Sequence, residues 1–293
     1  MRVTTTQMYD NLLAGVNKQL AVQAKGTEQV SSGKRFQKPA DAGLDYKVSL
    51  DLRHAQAGVT GSLDAVKTAE SRLGASQTML NNMQNMMVRA QSLAVQQSSA
   101  SLSAADRSTA AIEVGHLLTQ FANDANQKWQ GQSLFSGTAV DKASFTLDGF
   151  GNYGYTGSSQ DRVVAISDTL QVTSNIRGDS PSFAGAFTAL QDFKTALQAN
   201  DQAAIQTALG SLNSAGNGMV NLTSEVGGRL SALAVTRTSF EDMQFTLNKR
   251  IDEHEGANIP AVVAQLQQSS IALQASYSQI SQLKSMSLIN FLR

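Results

Sequence analysis

Residues 259–293 have the sequence IPAVVAQLQQSSIALQASYSQISQLKSMSLINFLR, and this stretch decides the fold. Its apolar residues recur at intervals of three, four or seven, the spacing of a helix that packs against another helix: Ile259, Val262, Leu266, Leu273, Tyr277, Ile280 and Leu283. The outward positions are Gln, Ser and Ala, and only Lys284 and Arg293 are charged. An isolated soluble helix normally carries Glu and Lys pairs on its outer face. This helix is therefore predicted to be covered on several sides.

The first thirty residues predict a helix that pairs with this one. From Tyr9 onward an apolar stripe recurs at helical spacing: Leu13, Val16, Leu20, Thr27 and Val30. The last residues of the chain are also apolar, although chain ends are usually polar and frayed. We expect the two ends to lie together and to bury apolar side chains against neighbouring molecules. The predicted assembly contacts are Leu13, Val16, Leu20, Leu266, Leu273, Tyr277, Ile280, Leu283, Leu288 and Phe291.

Composition excludes several classes of function. The 293 residues contain 23 basic and 23 acidic side chains, so nothing indicates binding to nucleic acid or to an anionic membrane. Only 16% of the residues are charged, which favours surfaces that pack against like copies. Cysteine is absent, which excludes disulfides and thiolate sites. No targeting segment or membrane span is predicted, so the chain is expected in the cytoplasm unless it is exported with its N-terminus intact.

The body of the chain is predicted to consist of long helices. One runs from about Leu44 to Ser98, and the capping-box sequence Ser103 to Asp106 begins another that folds back on it. The most regular pattern is an apolar series with a strict interval of seven: Ile205, Leu212, Met219, Val226, Leu233, Phe240 and Leu247. This series passes through Gly227 and Gly228, which are predicted to mark close helix packing.

Between these helices lies a segment rich in glycine, β-branched and aromatic residues. Its apolar runs at 144–147, 153–155, 162–166 and 170–176 are separated by turn residues, which predicts a small antiparallel β unit. The prediction is thus a mainly α fold: a long antiparallel helical rod or coiled coil from the two halves of the chain, with a β insertion. The expected division is terminal helices (1–43 and 257–293, disordered in the monomer), a helical rod (44–131 and 181–256) and the insertion (132–180).

One motif leaves an enzymatic alternative open. Residues Gly149 to Gly154 satisfy the G-x-G-x-x-G pattern of dinucleotide-binding proteins, which needs a preceding strand and a following helix. Strand-like runs follow here, so turns are the favoured interpretation and a nucleotide-cofactor enzyme is a remote alternative. His54, His116 and His254 are dispersed, without the spacing of a metal site. No catalytic residue, cofactor or metal is predicted. The basic segment from Lys34 to Pro39 is interpreted as a solvated loop that ends the first helix.

Several short motifs resemble the bacterial flagellin-like family. Residues 30–35 (VSSGKR), followed by Pro39 and Asp41, resemble that family's L-S-S-G-K-R and S-D-D-P sequences, with Ala42 and Gly43 replacing the last two residues. The opening MRVTTTQM, residues 131–137 (GQSLFSG), residues 226–230 (VGGRL) and the C-terminal sequence resemble the hook-associated protein 3 branch, the hook–filament junction proteins.

This resemblance implies a non-enzymatic structural protein of the bacterial flagellum. It implies export through the flagellar type III apparatus without a cleaved signal peptide, and an extracellular place at the hook–filament junction. The implied partners are hook-associated protein 1, flagellin, further copies of the chain in a ring, and an export chaperone for the C-terminal helix. The alternative within the same class is a short flagellin that forms the filament itself.

Overall fold

A computed structural model describes residues 5–99, 101–149 and 151–291, and the side chains of residues 7–99, 101–149 and 151–283. Within these ranges the chain forms seven α-helices and three two-stranded antiparallel sheets. The contacts divide it into two compact units: unit 1 contains Met1–Gly58 and Gln244–Arg293, and unit 2 contains Val59–Met243. The prediction of a mainly α fold with a small antiparallel β insertion is confirmed.

The helices follow the predicted extents closely. They are α1 (Thr5–Ser32), α2 (Pro39–Ala42), α3 (Leu44–Gln97), α4 (Ala104–Ala125), α5 (Pro181–Gln198), α6 (Gln202–Glu255) and α7 (Ile259–Phe291). The boundary between the two units falls inside α3 and α6. The predicted three-part division, with terminal helices that are disordered in the monomer, stays a prediction.

Local hydrogen bonds explain where several helices begin and end. The Ser103 hydroxyl accepts a hydrogen bond from the Asp106 amide (3.2 Å), and the Asp106 carboxylate accepts one from the Ser103 amide (3.1 Å). The predicted capping box at the start of α4 is therefore confirmed. Gly33 follows α1 with φ +69°, a left-handed conformation that glycine adopts without strain and that terminates the helix.

The apolar series of α6 with an interval of seven lines one side of the unit 2 core from Ile205 to Phe240. Its first five members are buried, whereas Phe240 and Leu247 are half-buried. Helix α3 supplies the facing side chains, including the buried Met83 and Met87, which fill the core. Helices α4 and α5 pack beside them, with the rings of Phe121 and Phe187 in an edge contact at 4.9 Å. Continuous apolar burial of this kind stabilises unit 2.

The β segment consists of three hairpins. The strands are β1 (Lys128–Trp129), β2 (Gln132–Ser133), β3 (Phe145–Leu147), β4 (Tyr153–Tyr155), β5 (Val163–Ala165) and β6 (Gln171–Thr173). They pair β1 with β2, β3 with β4 and β5 with β6. The four runs predicted as strands contain β3 to β6, whereas the β1–β2 hairpin was not predicted because its strands are only two residues long.

The prediction of close packing at Gly227 and Gly228 is wrong. A Cβ atom added at Gly228 would meet nothing within 4 Å, and one at Gly227 would meet only the Gln77 side chain at 3.9 Å. The close approach in this helix is at Gly216, where the Gln91 amide nitrogen lies 2.4 Å from an added Cβ and donates to the Leu212 carbonyl (3.0 Å). The hydrogen bond from Gln91 to Leu212 has room because Gly216 carries no side chain. The apolar interval of seven in the sequence does not reveal this requirement.

Candidate functional site

The terminal helices α1 and α7 pack against each other in antiparallel directions within unit 1. Val16 is 4% exposed and Leu273 is 6% exposed, so each sequence-predicted stripe contributes one fully packed residue. The Ser269 hydroxyl, also buried, donates a hydrogen bond to the Gln19 carbonyl (3.2 Å). The two terminal helices therefore contact each other, but few of their described side chains are fully buried between them.

Gly26 allows the closest approach between these two helices. An added Cβ atom at Gly26 would lie 2.7 Å from Leu266 Cδ2 and 3.0 Å from Leu266 Cγ. The absence of a side chain at this position makes room for the Leu266 side chain. The glycine costs about 1 kcal/mol in helix propensity relative to alanine, and the packing of Leu266 offsets that cost.

The predicted assembly residues divide into three groups by exposure. Val16 and Leu273 are buried, Leu266, Ile280 and Leu283 are half-buried, and Leu13, Leu20 and Tyr277 are exposed. Leu288 and Phe291 have side chains outside the described residues. Further exposed apolar side chains on α1 and α7, which the sequence analysis did not single out as contacts, are Met8, Tyr9, Val30, Val263 and Ile271. The assignment of the predicted residues to contacts between molecules stays a prediction.

We expect Gly26→Leu to separate α1 from α7, because the new side chain would occupy the place of Leu266. The expected result is a loss of about 1–3 kcal/mol in the stability of the helix pair, measured by amide hydrogen exchange along both helices. Gly15→Leu is the matched control, since a Cβ at Gly15 meets nothing within 4 Å. Equal exchange rates in the two variants would contradict the close approach at Gly26.

The second feature of unit 1 is an ionic centre around Glu255, at the end of α6. The Glu255 residue is 4% exposed, and its Oε1 atom accepts hydrogen bonds from Arg53 Nε (2.6 Å) and from the Ser49 hydroxyl. Its Oε2 atom accepts a hydrogen bond from Arg53 Nη2 and lies 3.3 Å from Lys34 Nζ. The bidentate Arg53 hydrogen bonds, above all, lower the pKa of Glu255 to about 2, with further contributions from Ser49 and Lys34.

The same centre holds the loop after α1 against the end of α6. The Arg35 amide donates to the Glu255 carbonyl (2.6 Å), and the Ala257 amide donates to the Gly33 carbonyl (2.9 Å). Lys34 and Gly256 thus form an antiparallel bridge. The interpretation of the basic segment as a solvated loop is wrong for its first part, because Lys34 pairs with Glu255 and Phe36 is buried.

Sequence reasoning missed the residues of this centre. Glu255 follows Ile251 by four positions, and Ile251 is buried, so the carboxylate continues a buried helix face. A carboxylate at such a position signals a buried ionic pair, yet its partner lies about 200 positions away in α3. The ring of Phe36 contacts Tyr46 (6.4 Å between centroids) and His254 (6.0 Å), closing the apolar side of the centre.

The ionic centre predicts a dependence of unit 1 stability on pH. The folded-state pKa of Glu255 lies at about 2, below the ordinary value of 4.5, so its contribution is fully present above about pH 4.5. That contribution is lost as the pH falls from 4.5 towards 2. We expect the protection factors of the amides in the first turns of α3 and the last turns of α6, which correct for the intrinsic effect of pH on exchange, to fall over this interval in the native chain. A variant without the Glu255 carboxylate should lack this part of the fall.

Gly149 and Gly151 lie between the antiparallel strands β3 and β4, and Gly154 lies within β4. The Asp148 amide donates to the Asn152 carbonyl (2.8 Å), and the motif ends in a strand where a dinucleotide site needs a helix. In the part of the chain that the structure describes, no group of three or more His, Asp or Glu is placed to hold a metal ion. None of the helices in the described ranges is both long and apolar enough to cross a bilayer.

Comparison with known proteins agrees with this architecture. Residues 3–140 match the bacterial flagellin N-terminal helical region. The chain is 25% identical to flagellar hook-associated protein 3 of Salmonella typhimurium, with all of both chains covered. It is 24% identical to flagellar hook-associated protein 3 of Escherichia coli, with 98% of each chain covered.

Solved structures show the same fold. A structure described as a putative flagellar hook-associated protein from Vibrio parahaemolyticus covers 74% of this chain and all of its own, with a TM-score of 0.68 and 18% identity. Bacillus cereus FlgL covers 69% of this chain and 99% of its own, with a TM-score of 0.62 and 22% identity. The prediction of a non-enzymatic structural protein is confirmed. The resemblance to flagellar hook-associated protein 3, within the bacterial flagellin-like family, is also confirmed.

Proposed function

We propose that this chain is the structural subunit that joins the flagellar hook to the flagellin filament. Its terminal helices would form the assembly contacts, and the helices and hairpins of unit 2 would form a folded body that needs no partner. The more general conclusion, that the chain is a hook-associated structural protein of the flagellum, rests on its full-length similarity to the two hook-associated proteins 3. The junction role goes beyond that general conclusion.

One observation carries this proposal: α1 and α7 leave apolar side chains exposed on both helices of the pair. Leu13, Leu20, Ile271 and Tyr277 are exposed in the monomer, whereas among residues 7–32 and 259–283 the pair buries few apolar side chains besides Val16 and Leu273. Two helices of 28 and 33 residues lose much conformational entropy when they order, and so short a core offsets little of it. Packing against neighbouring subunits would bury the exposed side chains and stabilise the pair.

We infer that the terminal helices order on assembly and that the chain is exported unfolded, without a cleaved signal peptide. The proposed partners are hook-associated protein 1 on one side, flagellin on the other, copies of this chain within a ring, and an export chaperone for the C-terminal helix. Limited proteolysis of the soluble monomer should then spare a core of about residues 40 to 255. Termini as resistant as that core would contradict ordering on assembly.

The junction role is tested by mixing the purified chain with hook-associated protein 1 and with flagellin, separately and together. We expect a complex with each partner, and stronger protection of α1 and α7 from hydrogen exchange in those complexes than in the chain alone. A variant with Leu20 and Tyr277 replaced by Ser should lose the complexes and keep the folded unit 2. Binding to neither partner would overturn the junction role.

A short flagellin is the second candidate, and the match of residues 3–140 to the flagellin N-terminal region favours it specifically. A filament protein polymerises without help into long fibres, whereas a junction protein stops at a ring. Electron microscopy of the pure chain under polymerising conditions distinguishes the two. Long filaments of the chain alone would favour the flagellin role.

A further inference from the structure

Two arginine side chains of unit 2 converge on one neutral acceptor. Arg72 Nη1 lies 3.4 Å from Gln132 Oε1, and Arg162 Nη1 lies 2.7 Å from the same oxygen atom. Arg72 belongs to α3, Gln132 to β2, and Arg162 immediately precedes β5. Three separate elements therefore bring two guanidinium groups together around the amide oxygen of Gln132.

This pair of cations has no counter-ion among the described residues. No carboxylate lies within ion-pair distance of either guanidinium, in contrast to Arg177 and Arg229, which have acidic partners nearby. Arg72 is only 2% exposed, and its Nε atom is buried without a hydrogen-bond partner. Burial, and then the charge of Arg162, lower the pKa of Arg72 to about 10. A buried cation that is paired only with neutral groups is energetically costly.

The contacts of Arg72 with neutral groups satisfy only part of its hydrogen-bonding capacity. Its Nη2 atom donates to the Ser133 carbonyl (2.6 Å), and the Trp129 ring lies 6.0 Å from its Cζ atom. These contacts fix the β1–β2 hairpin against α3, which is a structural role that one arginine fulfils. They do not explain why a second arginine approaches the same oxygen atom, since like charges at this distance repel.

We propose that Arg162, together with Arg72 behind it, forms a binding site for an oxyanion, either a carboxylate of an adjacent subunit or a small free anion. Both sources offer the same chemistry: a pair of negative oxygen atoms that accepts hydrogen bonds from guanidinium N–H groups. Arg162 is half-buried and can be approached from solvent, whereas Arg72 contributes charge from within. The site does not depend on the junction role, because it lies in unit 2 and its response is measured on the monomer.

The first test supplies the missing charge from within the chain. In Gln132→Glu, an isosteric carboxylate would stand between the two guanidinium groups, and we expect the melting temperature of unit 2 to rise by about 3 °C or more. Trp129, the single tryptophan of the chain, reports the transition from unit 2. A melting temperature that stays equal to that of the native chain, or falls, would count against a missing counter-ion.

The second test is a phosphate titration of the native monomer, with ionic strength held constant by sodium chloride. We expect a saturable rise in melting temperature, which Gln132→Glu and Arg162→Gln should both abolish. Arg89→Gln is the matched control, because Arg89 already pairs with Glu113 (2.6 Å) on the surface. This control should respond to phosphate like the native chain. Absence of a saturable response in the native chain, or an equal response in Arg162→Gln, would overturn the proposal.

A third measurement distinguishes the two sources of the anion. If the natural ligand is a carboxylate of an adjacent subunit, phosphate at constant ionic strength should weaken self-association of the native chain, measured by sedimentation. Self-association of Arg162→Gln should be weaker from the start and should not respond to phosphate. If phosphate stabilises the monomer and leaves self-association unchanged, the ligand is a free anion. Failure of the partner-mixing experiment would leave all of these results unaffected.

Discussion

Replacing Glu255 by Gln is expected to destabilise unit 1 by about 2 kcal/mol, because it removes the charge-assisted hydrogen bonds of a buried carboxylate, whereas Arg53 (46% exposed) and Lys34 (42% exposed) stay hydrated in part. The amide keeps the shape of the carboxylate, so the loss reports the charge and the hydrogen bonds. The effect should appear as faster hydrogen exchange at residues 33–36, in the first turns of α3 and in the last turns of α6. Exchange in the unit 2 core should be unchanged.

Glu253→Gln is the matched control for this prediction. Glu253 lies two residues earlier on the same helix, its side chain is 65% exposed, and it is 3.8 Å from Lys249. An exposed pair of this kind contributes at most about 0.5 kcal/mol, so this variant should exchange like the native chain. If both variants exchanged equally fast, the Glu255 centre would have no special role in stability.

Gly137→Ala is expected to lower the stability of unit 2 by about 3 kcal/mol or more, since two independent requirements for glycine meet there. Gly137 has φ +65°, a conformation that favours glycine. An added Cβ atom would also lie 2.1 Å from the Ser158 carbonyl oxygen and 2.9 Å from the Gln160 carbonyl oxygen. Both are backbone atoms, so relief of the clash would require movement of the segment that the Ser158 amide ties to the Ser136 carbonyl (2.9 Å).

Urea unfolding followed by Trp129 fluorescence measures this loss directly. Gly154→Ala is the control in the same β segment, because Gly154 has no positive φ and a Cβ there meets nothing within 4 Å. We expect its midpoint to stay close to that of the native chain. A midpoint for Gly137→Ala equal to that of Gly154→Ala would show that the loop accepts a side chain without strain.

Long helices with regular apolar spacing could be predicted from the sequence. The apolar residues that recur every seven positions from Ile205 predicted α6, and the capping box at Ser103 predicted the start of α4, because both signals are local. The positions of strands β3 to β6 were also predicted, since turn residues separate their β-branched runs, but the pairing of these strands into hairpins was not.

Contacts between distant parts of the chain could not be predicted in the same way. The Glu255 centre joins Lys34, Ser49 and Arg53 to the end of α6, and no local pattern reports which arginine meets a given carboxylate. The sequence also did not show which glycines are needed for close packing: Gly26 and Gly137 make room for specific neighbours, whereas Gly227 and Gly228 do not. Such distinctions depend on which atoms face the Cα, which the sequence alone does not reveal.

The pairing of α1 with α7 has a kinetic consequence. The Gln19 carbonyl and the Ser269 hydroxyl lie 250 positions apart in the sequence, so their contact closes a very long loop, and loop closure of that length is entropically unfavourable. Contacts of such high sequence separation form late, after more local ones have compacted the intervening residues. A molecule that is synthesised from its N-terminus therefore presents α1 without its partner until synthesis has finished. During that interval, the partner helix that α1 meets first can belong to a different molecule.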